Sequence, residues 1–145
     1  MLRLAAVLTA FIAASFAAPS YHVSNAVIAG ASQTTLENGL TVIIHEDFRS
    51  PLVAVRCYVL TGSIHEDTWL GSGLSHFFEH ALFLGTTSRP DQRRIAADIE
   101  SLGGGNFNAY TTIDHTCYLF TVSANGCEEG LSILADMIGN SVFPA

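Results

Sequence analysis

The chain has 145 residues, 49% of them hydrophobic and 13% charged. That length suits one domain with its own core, and the composition excludes a disordered chain. All basic residues are arginine, and against thirteen acids they leave a net charge of −7. This argues against nucleic acid or an anionic membrane surface as partner, and the absence of lysine removes a Walker-type phosphate loop.

Met1-Leu2-Arg3 precedes an apolar run from Leu4 to Ala14, and Ser15-Phe16-Ala17 places small residues ahead of Ala18-Pro19. This three-part pattern reads as a secretory signal peptide over 1–17, standing outside the fold. The run is too short for a comfortable membrane span, and no later stretch is long enough, so no span is expected after signal removal. Secretion to the periplasm or the extracellular space is the expected location. A mitochondrial presequence is the alternative, disfavoured by the single arginine and an apolar face all round.

Residues 18–32 are small and polar and read as a linker or lead-in arm; 33–145 form the domain. Thr34-Thr35-Leu36 and Leu40 to Ile44 flank Glu37-Asn38-Gly39, a hairpin signal. Pro51 precedes a third strand, Leu52 to Leu60, and Thr61 to Gly73 reads as a loop. A helix is predicted from about Gly73 to Leu84, stopped by Gly85-Thr86. Pro90 and Asp91 start a second helix with Ile95, Ile99 and Leu102 on one face, ended by Gly103-Gly104-Gly105. Strands around Phe107–Thr112 and His115–Val122 follow, then a third helix after Asn125-Gly126 with Leu131, Leu134, Ala135 and Ile138 on one face. The order β-β-β-α-α-β-β-α implies an α+β fold of two layers, an antiparallel sheet with helices packed on one face.

Cys57, Cys117 and Cys127 are odd in number and lack the close pairing of a cysteine zinc site. Cys57 and Cys117 lie in apolar strands and read as buried free thiols, one disulfide with a leftover thiol being the alternative.

The chemistry concentrates in Gly73-Leu74-Ser75-His76-Phe77-Phe78-Glu79-His80-Ala81-Leu82. His76 and His80, four apart on a helix, share a face, so both imidazoles can reach one metal ion. Glu79 adjoins that face and can contact a water held at the metal without being a ligand, while Leu74, Phe77, Phe78, Ala81 and Leu82 cover the other side. Two imidazoles and a carboxylate in an apolar helix need compensation that a divalent ion supplies. With 6 His and 7 Glu in the chain, random placement produces His-x-x-Glu-His about 0.01 times. The nucleophile elbow of a serine hydrolase is rejected, because Gly73-Leu74-Ser75-His76 is followed by Phe77 where glycine is required.

His-x-x-Glu-His marks the inverzincins, and Gly73 to Thr86 strongly resembles the pitrilysin/insulinase family of zinc metallopeptidases, which includes the mitochondrial processing peptidases. Leu36-Glu37-Asn38-Gly39-Leu40 is similar to the family's opening hairpin, and Leu134-Ala135-Asp136-Met137 to a later helix. Asn108-Ala109-Tyr110-Thr111, with Thr116 and Tyr118, is similar to its substrate-edge strands. The resemblance covers about Thr34 to Ala145. It implies a zinc-dependent metalloendopeptidase with one Zn2+ per catalytic domain, held by His76 and His80, with Glu79 activating the water. It also implies that Asn108 and Ala109 line an edge where a peptide or unfolded protein adds as a strand. The plainer reading of Asn108 is a turn or bulge residue after the glycine run.

The resemblance further implies a third zinc ligand, a glutamate on a later helix beyond Ala145, and a second homologous half that closes a chamber. The 145-residue chain is therefore expected to be part of a longer catalytic domain, with weak zinc affinity and little or no peptidase activity alone. Glu128, Glu129, Asp114, His115 and His65 are the local candidates for a substitute ligand, and nothing in their spacing selects one. Glu128 also fits the N3 partner of an Asn125 N-cap. The alternative function is a metal-binding but catalytically inactive subunit or truncated pseudoenzyme.

Overall fold

The computed structural model describes residues 6–12 and 30–143. The expected cleavage site, most of the 18–32 arm and Ala145 lie outside the described residues. Among the described residues six strands and three α-helices follow in chain order: β1 Ala6–Ile12, β2 Ala31–Thr35, β3 Thr41–Glu46, β4 Leu52–Val59, α1 Leu74–Ala81, α2 Gln92–Ser101, β5 Gly105–Thr111, β6 Thr116–Ser123 and α3 Cys127–Asn140. The strands form one sheet in the order β2-β3-β1-β4-β6-β5. All neighbouring strands are antiparallel except β1 and β4.

The Asn38-Gly39 hairpin forms as the dipeptide predicts, with Thr35 opposite Thr41 and Gly39 at φ +86°. The sheet's inner face carries Val53, Val55 and Cys57 of β4 and Tyr118, Phe120 and Val122 of β6, all buried. Ile95 and Ile99 of α2, and Ile133, Leu134 and Met137 of α3, close over them. The period-two residues of the strands thus meet the helical-period residues of the helices, as the two-layer α+β expectation requires.

Within the expected 1–17 leader, Ala6–Ile12 forms β1 in the uncleaved chain, between β3 and β4, with Val7 opposite both His45 and Ala54. A short apolar run bounded by small residues suits a strand flanked on both sides as well as it suits a leader core, and periodicity does not separate the two. Three local features differ from the sequence reading. The 61–73 loop contains two short 3₁₀ turns within Ser63–Trp69, separated by a kink at Asp67 (φ +48°), where sequence pattern carries little signal. Asp91 is the N-cap of α2 rather than a first-turn residue, its side chain accepting from the Arg94 N–H at 2.9 Å. Asn125 does not cap α3, because Ala124–Gly126 continues as a 3₁₀ turn and the helix starts at Cys127 without a side-chain cap.

Two glycines hold the elements that carry the site. A Cβ on Gly104 would lie 2.3 Å from the Ile99 carbonyl oxygen, so only glycine lets the α2 end pass directly into β5. A Cβ on Gly62 would lie 2.4 Å from the Thr112 carbonyl oxygen. That close approach lets the Ser63 and Ile64 N–H groups donate to Thr112 and Ile113 at the end of the β5–β6 hairpin. Cys57, Cys117 and Cys127 are free. Burial pushes the Cys57 thiol up to about 12, which leaves it inert at neutral pH.

Candidate metal and catalytic site

Helix α1 opens on Gly73, a left-handed residue with no side-chain cap of its own. Its free N–H groups go instead to a distant carboxylate: Glu66 accepts from Ser75 N–H at 2.8 Å and from Gly73 N–H at 3.3 Å. A carboxylate at a helix N-terminus is favoured by both the orphan donors and the dipole. These N–H bonds, that of Ser75 foremost, hold the Glu66 pKa below the usual carboxylate value. Glu66 is 5% exposed and belongs to the 3₁₀ helix that sequence pattern missed. The only available signal was an acidic residue in a charge-poor stretch shortly before the helix.

One turn into α1, the Nε2 atoms of His76 and His80 lie 3.1 Å apart. Both imidazoles are exposed, whereas Glu79 between them is 5% exposed. Nitrogen and carboxylate atoms of the three residues all lie within 4.8 Å of one another. With zinc–nitrogen bonds of roughly 2.0–2.1 Å, two nitrogens at the observed spacing subtend about 100° at a shared ion, close to tetrahedral. The donor set therefore fits a divalent metal that accepts nitrogen and oxygen ligands. Among the described residues no other His, Cys, Asp or Glu joins this group. His65 accepts from Gly62 N–H through Nδ1 at 3.2 Å, and the Nδ1 of His115 is 2.7 Å from Asp114. Glu129 contacts Arg89 at 3.3 Å.

The apolar back of α1 is only half covered. Ala81 and Leu82 are buried, but Leu74, Phe77 and Phe78 are exposed among the described residues. The buried carboxylate itself faces the sheet, because Glu79 shares its side of the helix with Leu82, three residues on. There Thr111 Oγ1 of β5 donates to Glu79 Oε2. Thr111 lies 3.3 Å from Thr116 Oγ1 on β6, which donates to the Thr61 carbonyl at 3.0 Å. Tyr118 borders the same space; its burial, reinforced by the Glu79 charge, raises the phenol pKa.

β5 is an edge strand of the sheet, and α1 packs against it. Ala109 stands opposite Tyr118 and is partly buried on the helix side. Asn108 stands opposite Leu119 and is exposed; strand alternation turns it to the other face from Thr111 and Glu79. A register shift between Gly105 and Asn108, with Asn106 at φ +57°, marks a bulge just before it. Both residues thus lie on the edge strand, but only Ala109 shares the face of the metal group. A cleft of about 330 Å³ lined by Glu66, Gly73, His76 and Thr111 opens where this strand meets α1.

Comparison with known proteins identifies the family. The family model described as Insulinase (Peptidase family M16) matches residues 41–145. An uncharacterized zinc protease of Rickettsia felis is 41% identical over 108 residues, covering 74% of this chain and 26% of that protein. The mitochondrial-processing peptidase subunit beta of Dictyostelium discoideum is 36% identical over 110 residues, covering 76% of this chain and 23% of its own length. The crystal structure of a protease from Helicobacter pylori superposes with a TM-score of 0.69 at 24% identity, over 79% of this chain and 27% of that one, and shows the same fold. The chain spans about a quarter of the length of these relatives. With the family model covering most of the chain and the fold agreeing, this protein belongs to the insulinase family of peptidases, M16.

Proposed function

We propose that this chain carries the zinc-binding and water-activating part of a metalloendopeptidase that cleaves peptides or unfolded proteins. The observation that carries the reading is the pair of Nε2 atoms 3.1 Å apart on α1, with a buried, hydrogen-bonded carboxylate between them. His76 and His80 hold the ion. Bound Zn2+ supplies Lewis-acid polarisation of water and of the peptide carbonyl, bringing the water's pKa to about 7. Glu79 takes the proton from the attacking water and returns it to the leaving amine. An extended peptide adds to the free edge of β5, and Ala109 and Asn108 line that edge. A third ligand and a second homologous half are assigned to residues outside this chain, in keeping with its quarter share of the relatives' length.

The Met1–Ala17 pattern supports export, to the periplasm or the extracellular space, with mitochondrial import as the alternative. Its removal opens a one-strand gap between β3 and β4, so the exported form needs another strand in that position. Among the described residues no helix is long and apolar enough to cross a membrane.

A metal-binding but inactive subunit is the second reading. It is favoured by the absence, among the described residues, of any further His, Cys, Asp or Glu beside His76, Glu79 and His80. A quenched-peptide assay with chelator and with Glu79→Gln, run on the complete catalytic protein that carries the third ligand and the second half, separates the two. The endopeptidase reading expects chelator-sensitive cleavage that falls by about 10²–10⁴-fold in the variant while zinc is retained. Chelator-insensitive cleavage, or full activity in the variant, overturns it; retained zinc without any cleavage supports the inactive reading.

A further inference from the structure

Glu79 sits close enough to both imidazoles to serve a metal ion in either of two ways, as a direct ligand or as the group that holds a water beside it. What decides between them is what the carboxylate is tied to. Within the described residues its polar contact is the Thr111 hydroxyl, reaching across from the edge strand 32 positions along the chain. A hydroxyl has one proton to give, and Thr111 Oγ1 donates it to Glu79 Oε2, so the Thr111 proton is committed there. Thr116, 5% exposed, has a backbone acceptor for its own proton in the Thr61 carbonyl, 3.0 Å away. Both hydroxyls therefore have fixed directions, and the tether on Glu79 Oε2 is anchored on β5 rather than on α1.

We infer that Thr111 is a positioning residue that draws the Glu79 carboxylate toward the sheet and keeps it from becoming a ligand of the metal. This rests on the metal reading of the site given above. Because Thr111 lies two residues from Ala109 on the same face of the edge strand, the strand proposed to receive the peptide also sets the position of the proton acceptor. The hydroxyl acts through Glu79 and does not itself touch the reacting atoms.

The test is zinc affinity of the 145-residue chain, measured by competition against a chromophoric chelator. The variants are Thr111→Val, Thr111→Ser, Glu79→Gln, Thr111→Val with Glu79→Gln, and His76→Gln. Thr111→Val keeps the shape and removes the hydroxyl. The released carboxylate should then bind the ion, tightening zinc by about tenfold, the scale on which such outer contacts act. Thr111→Ser should restore the wild-type value, and in the Glu79→Gln background the valine should have no effect.

Were Thr111 instead supporting a carboxylate that already ligates, its loss should weaken zinc by about 10–100-fold. That result, an unchanged affinity, or a tightening that persists without Glu79 each overturns the inference. If Thr111→Val does not fold, Thr111→Ala is read by the same criteria, with Thr111→Ser as the folded reference. Zinc binding that is lost in His76→Gln but identical in wild type and Thr111→Val overturns this inference alone. A wild-type chain that binds no zinc, or binds it equally in His76→Gln, overturns the metal reading and this inference with it.

Discussion

Zinc should stabilise the folded chain through His76 and His80, and the size of the effect follows from the geometry. The two Nε2 atoms are already 3.1 Å apart, so binding requires no rearrangement of α1. An unfolded chain has no such pairing, and a ligand that binds only the folded state stabilises by RT ln(1 + [L]/Kd). At a free zinc concentration one hundred times the measured Kd this is about 2.7 kcal/mol, whatever the affinity. For a domain of this size each kcal/mol moves Tm by about 2–4 °C, so the expected shift is about 5–10 °C. Both imidazoles are exposed and outside the core, so His76→Gln or His80→Gln should change the metal-free Tm by less than about 0.5 kcal/mol equivalent. The same substitutions should abolish the zinc shift. Calorimetry with zinc and with chelator measures both quantities. A full shift in either glutamine variant, or no shift in wild type at hundredfold saturation, would refute the preformed two-histidine site.

Ile99 is fully buried under the sheet, and Ile99→Ala should cost about 2–5 kcal/mol by chemical denaturation; a loss under 1 kcal/mol would place it outside the core. Arg89 is 14% exposed and bonds Asp136 at 2.7 Å and Asp98 at 3.1 Å, so Arg89→Met should cost about 2–3 kcal/mol, less than a fully buried pair, by removing the cation beside Asp136, which keeps its bonds from Thr86 and Asn140. Glu66 titrates below its ordinary value of 4.5 in the folded chain, so its stabilising contribution is present above that value and lost as pH falls through the lowered one. Glu66→Gln should therefore flatten the acid limb of the stability curve below about pH 4.5, and an unchanged acid limb would contradict the capping role. A chain starting at residue 18 lacks both ladders of β1 and faces two open strand edges toward each other; it should melt lower and self-associate by light scattering, whereas an unchanged Tm and a monomer would show that β1 adds nothing to the sheet.

The two-histidine half of the candidate site is local, and the sequence alone determined it. His76 and His80 meet because four residues make about one helical turn, and no distant contact is needed for that. The α+β class, the Asn38-Gly39 hairpin and the core faces of α2 and α3 follow from the same short-range periodicities. Only tertiary structure decided the rest. Glu66 reaches α1 from a 3₁₀ helix, and Thr111 reaches Glu79 from another strand, through contacts set by chain crossings that periodicity does not encode. The fate of Ala6–Ile12 belongs to the same class, since an apolar run is equally suited to a leader core and to an interior strand until neighbours with open edges are present. Asn108 and Ala109 were placed correctly on one strand, but which of them faces Glu79 depends on a bulge at Asn106 and on the strand's two-residue alternation, and so only the folded sheet could tell them apart.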